Sequence, residues 1–127
     1  MKLPPLLVVD DEKNMRLSLQ TVLEGESYEV RLADSAEAGL KLIQQDPFFM
    51  VITDARLGGM SGYEFLKTVA EKRPDLPVIM ITSRIAAKHR EHAAELGASH
   101  YLGKPYREDE LLSLVRRYAA ADFLTTE

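Results

Sequence analysis

A chain of 127 residues, 46% of them hydrophobic and 28% charged, has the size and balance of a single ordinary globular domain with a sizeable core. Its formal charge of −4 argues against nucleic acid or an anionic membrane as a direct partner. With no cysteine it can hold neither a disulfide nor a thiolate metal site, which fits a reducing, cytoplasmic setting.

The start, Met1-Lys2-Leu3-Pro4-Pro5, lacks the form of a signal peptide, and no run approaches the roughly 20 apolar residues that span a bilayer. Pro4-Pro5 leads into a first strand predicted over Leu6 to Asp10. From Lys13 to Glu24 the pattern turns helical: Met15, Leu19, Val22 and Leu23 share one face, while Lys13, Arg16 and Gln20 take the other. Gly25 is placed to end that helix in a positive-φ conformation. Tyr28, Val30 and Leu32 alternate with Glu29 and Arg31, as in an edge strand with one wet side.

A second helix is predicted from Asp34-Ser35-Ala36-Glu37, with Asp34 as cap and Glu37 reaching back to it. Ala36, Leu40 and Ile43 form its stripe, and Pro47 closes it. The third strand, Phe48 to Thr53, is apolar on both faces, as at the centre of a parallel sheet. After Asp54 comes a loop with paired glycines, Gly58-Gly59, and then Ser61 capping a third helix with Glu64 three residues on. Phe65, Leu66 and Val69 point inward. Val78 to Ser83 is the fourth strand, and a fourth helix from about Arg84 to Leu96 stops at Gly97. That helix is poor in large apolar residues, so its anchoring should be thin. A short strand near His100 to Leu102 and a helix from near Asp109, burying Leu111, Leu112, Val115 and Tyr118, complete the pattern.

Five strand-then-helix units with no hairpin signal imply an α/β fold with a parallel sheet covered on both faces. Right-handed crossovers put every strand C-terminus on one edge, where ligands of such sheets sit. Three apolar runs end there on polar residues: Asp10-Asp11, Asp54, and Thr82-Ser83. Singly, each has an ordinary explanation as a helix cap or a solvated charge. Together with Lys104 they form a set suited to phosphate chemistry. Two unit charges about 4 Å apart repel by roughly 4 kcal/mol at an effective dielectric of 20, so gathered carboxylates call for a cation. Hard oxygens with room for water suit Mg²⁺. One carboxylate could attack a phosphoryl group, with Lys104 and either Thr82 or Ser83 binding the phosphoryl oxygens.

The set Val8-Val9-Asp10-Asp11, Ile52-Thr53-Asp54, Met60-Ser61-Gly62, Ile81-Thr82-Ser83 and Lys104-Pro105 resembles the receiver domain of two-component response regulators, over about Leu6 to Tyr118. The resemblance implies a flavodoxin-like doubly wound (βα)5 fold with strand order 2-1-3-4-5. It implies one domain over residues 1–127, with a core ending near residue 118 and a tail or the start of a linker over 119–127. It makes Asp54 the phospho-acceptor, Asp11 a direct and Asp10 a water-mediated Mg²⁺ ligand, and the Arg56 backbone carbonyl a further ligand. Thr82 becomes the switch hydroxyl, Tyr101 the switch aromatic, and Lys104 the phosphate-binding lysine, aimed by a cis Lys104-Pro105 bond. The implied donor is a sensor histidine kinase or histidine phosphotransfer domain. The implied output is an attached domain or partner protein at the surface of the fourth helix, fifth strand and fifth helix, the protein being a monomer or a dimer formed on phosphorylation. It would be a signalling phospho-acceptor and not an enzyme with an external substrate.

Some positions depart from the family pattern. Gly58 stands where proline is usual, Ser61 where aspartate is common, and Ser83 is larger than the usual residue. Arg56 and Arg84 stand two residues beyond Asp54 and Thr82, where the family tunes phosphate lifetime. The first half resembles receivers of nitrogen-regulation-type regulators. Ser83-Arg84 through Lys88-His89-Arg90 to Tyr101-Leu102-Gly103-Lys104-Pro105-Tyr106 resembles receivers of hybrid chemotaxis-type kinases of type IV pili systems. The alternatives are a docking module that signals without phosphate, a Mg²⁺-dependent phosphatase, and, weakest, a flavin-binding protein. The phosphatase would want an Asp-x-Asp arrangement that neither Asp10-Asp11-Glu12 nor Asp54-Ala55-Arg56 supplies.

Overall fold

Four consecutive apolar residues, Leu6–Val9, form β1, and all four are fully buried, which only a strand with both faces covered allows. The computed structural model describes residues 3–57, 60–82 and 87–126, the side chains of 87–90 and 121–126 excepted. The elements alternate as the sequence pattern requires: β1, α1 (Lys13–Glu24), β2 (Val30–Ala33), α2 (Ala36–Gln45), β3 (Met50–Asp54), α3 (Gly62–Lys72), β4 (Val78–Thr82), α4 (Ala87–Leu96), β5 (His100–Gly103) and α5 (Glu108–Thr126). The strands are parallel, in the order β2-β1-β3-β4-β5, as expected.

Strand periodicity divides the core in two. Leu7, Val9, Val51, Val78 and Met80 face Ile43 of α2, Phe65, Leu66 and Val69 of α3, and Ala93 of α4. Leu6, Val8, Ile52, Ile79 and Ile81 face Leu19 and Leu23 of α1 and Leu111 and Val115 of α5. Each such side chain contributes roughly 1.5–3 kcal/mol when fully buried. The anchoring of α4 is thin, as its composition predicts: among its described side chains only Ala93 is buried, with Leu96 half-buried beside it. Among the described residues no helix is long and apolar enough to cross a membrane.

The structure corrects several details. Helix α1 does not end on a positive-φ glycine. Gly25 keeps φ −61, and Ser27 turns left-handed at φ 70, with the Tyr28 N–H donating to the Leu23 carbonyl at 3.2 Å. The cap of α2 is Ser35 and not Asp34, its hydroxyl accepting from the Ala38 N–H at 3.1 Å, because β2 runs on to Ala33 and places Ser35 at the turn. Strand β3 starts at Met50, later than Phe48, and includes Asp54. The tail expected over 119–127 is helical through Thr126, as the Ala-rich sequence there favours. Ser61 caps α3 as predicted, accepting from the Glu64 N–H at 3.1 Å, and Gly97 closes α4 with φ 112. The expectations placed on Gly58, Gly59, Ser83 and Arg84, and on the side chains of Lys88, His89 and Arg90, lie outside the described residues.

Helix α3 starts hard against the end of β3. The Gly62 N–H donates to the Ala55 carbonyl at 3.1 Å, and a Cβ at Gly62 would lie 2.3 Å from the Asp54 carbonyl oxygen and 2.7 Å from the Ala55 Cα. Those neighbours are backbone and cannot swing aside. Gly62→Ala should therefore cost about 3 kcal/mol, the upper end of overpacking penalties. It should appear as a lower urea midpoint with an unchanged m-value.

Candidate functional site

Parallel register brings the strand ends to one edge. Val9 pairs with Thr53, Asp54 with Ile81, and Thr82 with Gly103, so Asp10, Asp54, Thr82 and Lys104 follow one another across the sheet. Asp54 has both carboxylate oxygens engaged. Oδ2 accepts from the Lys104 ammonium at 2.8 Å, and Oδ1 accepts from the Arg56 backbone N–H at 2.8 Å. The Asp54 side chain is 12% exposed and that of Lys104 22%, so the pair is shielded from bulk water without being sealed. Lys104 is set by its backbone, whose N–H donates to the Thr82 carbonyl at 2.7 Å, and the Lys104-Pro105 bond is cis.

Asp10 lies deeper, 3% exposed. Its N–H donates to the Ala33 carbonyl at 3.1 Å, and its Oδ1 accepts from the Glu12 N–H at 2.9 Å. The other carboxylate oxygen accepts no hydrogen bond from the described residues. Burial pushes the Asp10 carboxyl above its ordinary range. The Glu12 N–H and the Lys104 ammonium pull it back, while the charges of Asp54 and Asp11 push it further up. Asp11 is exposed at the mouth of the edge, as is Arg56. Thr82 is 2% exposed at the end of β4.

Tyr101 is half-buried against the α3 side of the core, its hydroxyl 3.4 Å from that of Tyr63, whose ring lies 5.2 Å from the His92 imidazole of α4. Neither Tyr63 nor His92 carries a signal in the sequence, because apolar periodicity marks the inward residues of α3 and not a tyrosine at its rim. Arg16 was assigned to the outer face of α1, yet its guanidinium turns back and donates to the Asp10 carbonyl at 2.8 Å. A basic residue in the opening turns of a helix that has no acidic residue in its first turn was the available signal, since the helix dipole disfavours it there unless it has a partner.

The edge thus joins a clamped carboxylate, an ammonium, a buried hydroxyl and a second buried carboxylate. The family model for the response regulator receiver domain matches residues 6–116. The chain belongs to that family. This receiver domain is 35% identical to the response regulator protein FleR of Pseudomonas aeruginosa over 114 residues, which is 90% of this chain and 24% of FleR. It spans between about a quarter and a half of the curated relatives it matches. Among solved structures it is similar to a CheY-like receiver domain protein from Methanospirillum hungatei, with TM-score 0.90, 29% identity and coverage of 98% of this chain and 99% of that one. The BeF3-activated receiver domain of DrrB is also similar, with TM-score 0.84 and 29% identity over 92% of this chain and 97% of that one.

The position of Asp10 has a measurable cost. A folded-state pKa above the ordinary 3.8 means that the folded protein holds this proton more tightly than the unfolded chain does. Stability therefore falls as pH rises through the folded value, and at neutral pH the ionised Asp10 is a penalty. Asn at this position can still accept the Glu12 N–H but carries no charge. Without added metal, Asp10→Asn should raise stability at pH 7 by on the order of 1 kcal/mol, the scale of a poorly satisfied buried polar group. The gain should shrink as the pH is lowered through the Asp10 titration. Thermal melts of both proteins between pH 4 and 8 check this.

Proposed function

We propose that this receiver domain takes a phosphoryl group onto Asp54 from the phosphohistidine of a sensor histidine kinase or histidine phosphotransfer domain. The observation that carries the reading is the Asp54 carboxylate held between the Lys104 ammonium and the Arg56 N–H, beside a buried Asp10 with one oxygen that no described residue donates to. An Asp54 oxygen forms a bond to phosphorus as the P–N bond of the donor breaks, and the departing imidazole keeps the electron pair. Lys104, already at 2.8 Å, is placed to follow the negative charge from the carboxylate to the phosphoryl oxygens. A groove of about 590 Å³ adjoins Lys104, lined by Met15, Val22, Pro105, Tyr106 and Leu111.

The donor set fits Mg²⁺. Among the described residues no group of three or more acidic or histidine side chains forms a ready-made metal cluster, but this ion needs only one or two carboxylates and keeps several waters. The second oxygen of Asp10, the exposed Asp11, Asp54 and the Arg56 carbonyl are the groups that would hold it. When bound, the ion supplies charge neutralisation for the acidic edge and for the phosphoryl oxygens.

For output we infer a population shift. A phosphoryl group on Asp54 draws the Thr82 hydroxyl toward it, Tyr101 rotates inward, and the α4–β5–α5 surface changes its affinity for an output domain or partner. The thin anchoring of α4 supports this, because moving elements come from the less stable end of a fold.

Intact mass after incubation with acetyl phosphate and Mg²⁺ should show one added phosphoryl group, lost in Asp54→Asn and on chelation of the metal. An unmodified wild-type mass would leave a phosphate-independent docking module. Lys104→Met should slow phosphorylation by about 10²-fold, the order found when one charge-stabilising donor is removed. Stopped reactions sampled by mass give that rate directly. Thr82→Ala should still take up the phosphoryl group, but amide exchange in α4 and β5 should no longer respond to it.

A further inference from the structure

The two acids at the end of β1 are useful to a cation only if the turn that carries them is fixed, and the ordinary means of fixing it are missing. The N-cap of α1 is Glu12, which makes no side-chain capping bond, and no acidic residue lies in the first turn. Two bonds replace them. The Asp10 carboxylate accepts the Glu12 N–H at 2.9 Å, and the Asp10 carbonyl accepts from Arg16 at 2.8 Å.

The second bond acts on Asp11. A carbonyl lies in the plane of the peptide that follows it, so the Asp10 carbonyl oxygen shares a rigid plane with the Asp11 nitrogen and Cα. With the Asp10 N–H already tied to the Ala33 carbonyl, holding the Asp10 carbonyl leaves the Asp10–Asp11 peptide little freedom to rotate. On the other side of Asp11 the Glu12 N–H is held by the Asp10 carboxylate, so the peptides before and after Asp11 are both restrained, and together they narrow the direction in which its side chain leaves the backbone. Arg16 is half-buried, and its planar guanidinium loses less freedom per bond than a lysine would.

We propose that Arg16 is a positioning residue for the divalent cation, holding the Asp10–Asp11 peptide so that both carboxylates present oxygens to one ion. This rests on the reading of the edge as a Mg²⁺ site. It also carries a sign that separates it from simple electrostatics. A positive charge beside an acidic corner repels a cation, so by Coulomb's law its removal tightens Mg²⁺ binding. If Arg16 positions the corner, its removal weakens binding, as loss of groups that orient metal ligands generally does.

The test is Mg²⁺ titration of the whole chain by calorimetry, with wild type, Arg16→Met and Arg16→Lys, at low and high salt. Arg16→Met keeps a long stem and loses the donors and the charge; its affinity should fall about 10-fold. The loss should persist at high salt, where exposed charges are screened. The Asp11 and Glu12 amide resonances should shift and exchange faster, with the remaining amides unmoved. Equal or tighter binding by Arg16→Met overturns the proposal. Arg16→Lys keeps the charge without the planar fork and decides the matter if Arg16→Met does not fold: weaker binding supports the proposal, and unchanged or tighter binding overturns it. A wild type that binds no Mg²⁺ would instead sink the reading of the edge as a metal site, and the role of Arg16 with it.

Discussion

The ion pair between Lys104 and Asp54 is the contact on which the acidic edge depends. Three carboxylates lie on neighbouring strand ends, one of them buried with an oxygen that no described residue donates to, and the Lys104 ammonium stands among them, with Asp54 Oδ2 at 2.8 Å. That ammonium comes from the far end of the chain, fifty positions from Asp54, and reaches the edge because β5 pairs with β4 and the Lys104 N–H binds the Thr82 carbonyl. The sheet therefore has to be complete to its last strand before the acids at β1 and β3 are neutralised. Even then the neutralisation is partial, since burial and the neighbouring acids outweigh Lys104 at Asp10 and hold its carboxyl above the ordinary range. Residual strain of this kind is characteristic of sites kept for binding over stability.

Much of the fold was legible because this sheet leaves little choice. β1, β3 and β4 are central strands, and their unbroken apolar runs end on the polar residues that mark the edge. The Ser61 cap was readable from its Glu64 partner, and Gly97 from its place after the last turn of α4. The site residues Asp10, Asp54, Thr82 and Lys104 were readable as strand ends, and the register places them side by side. What could not be read were choices between neighbours that satisfy the same local rule. Asp34 and Ser35 are both good caps, and the length of β2 selects Ser35. Gly25 does cap α1, but in a right-handed conformation, and the left-handed turn falls at Ser27, where Tyr28 reaches back to the Leu23 carbonyl. Side chains that turn against their helical face, as Arg16 does, leave no trace in periodicity, because their partner is a backbone carbonyl on another element.

The phosphatase alternative is not favoured: the receiver-domain model matches the chain, and neither Asp10 nor Asp54 opens an Asp-x-Asp arrangement. Such an enzyme needs an acid beside the nucleophile to move protons for an external substrate. The residue two positions beyond Asp54, where an Asp-x-Asp arrangement would put that acid, is Arg56, which contributes its backbone N–H, while the Lys104 ammonium holds the other carboxylate oxygen. The Asp54 carboxylate is instead clamped by a cation on one oxygen and an amide on the other.

Among the described side chains α4 is the most lightly anchored helix, and it adjoins the part that would have to move. Helix α4 lies on the sheet through Ala93 and Leu96, whereas α3 buries Phe65, Leu66 and Val69. Tyr101 stands between the two helices, on the strand next to β4, and its hydroxyl meets Tyr63 while the Tyr63 ring meets His92. These contacts are polar or tilted-ring contacts near the surface, worth little beside the apolar burial that fixes α3. The sheet and α3 can thus stay rigid and hold Asp54 and Lys104 in place, while the Tyr101 side chain and α4 would exchange one set of weak contacts for another. A change in charge at Asp54 then needs to supply only a few kcal/mol of differential interaction to reverse a two-state balance. That is within reach of one phosphoryl group meeting one buried hydroxyl and one ammonium.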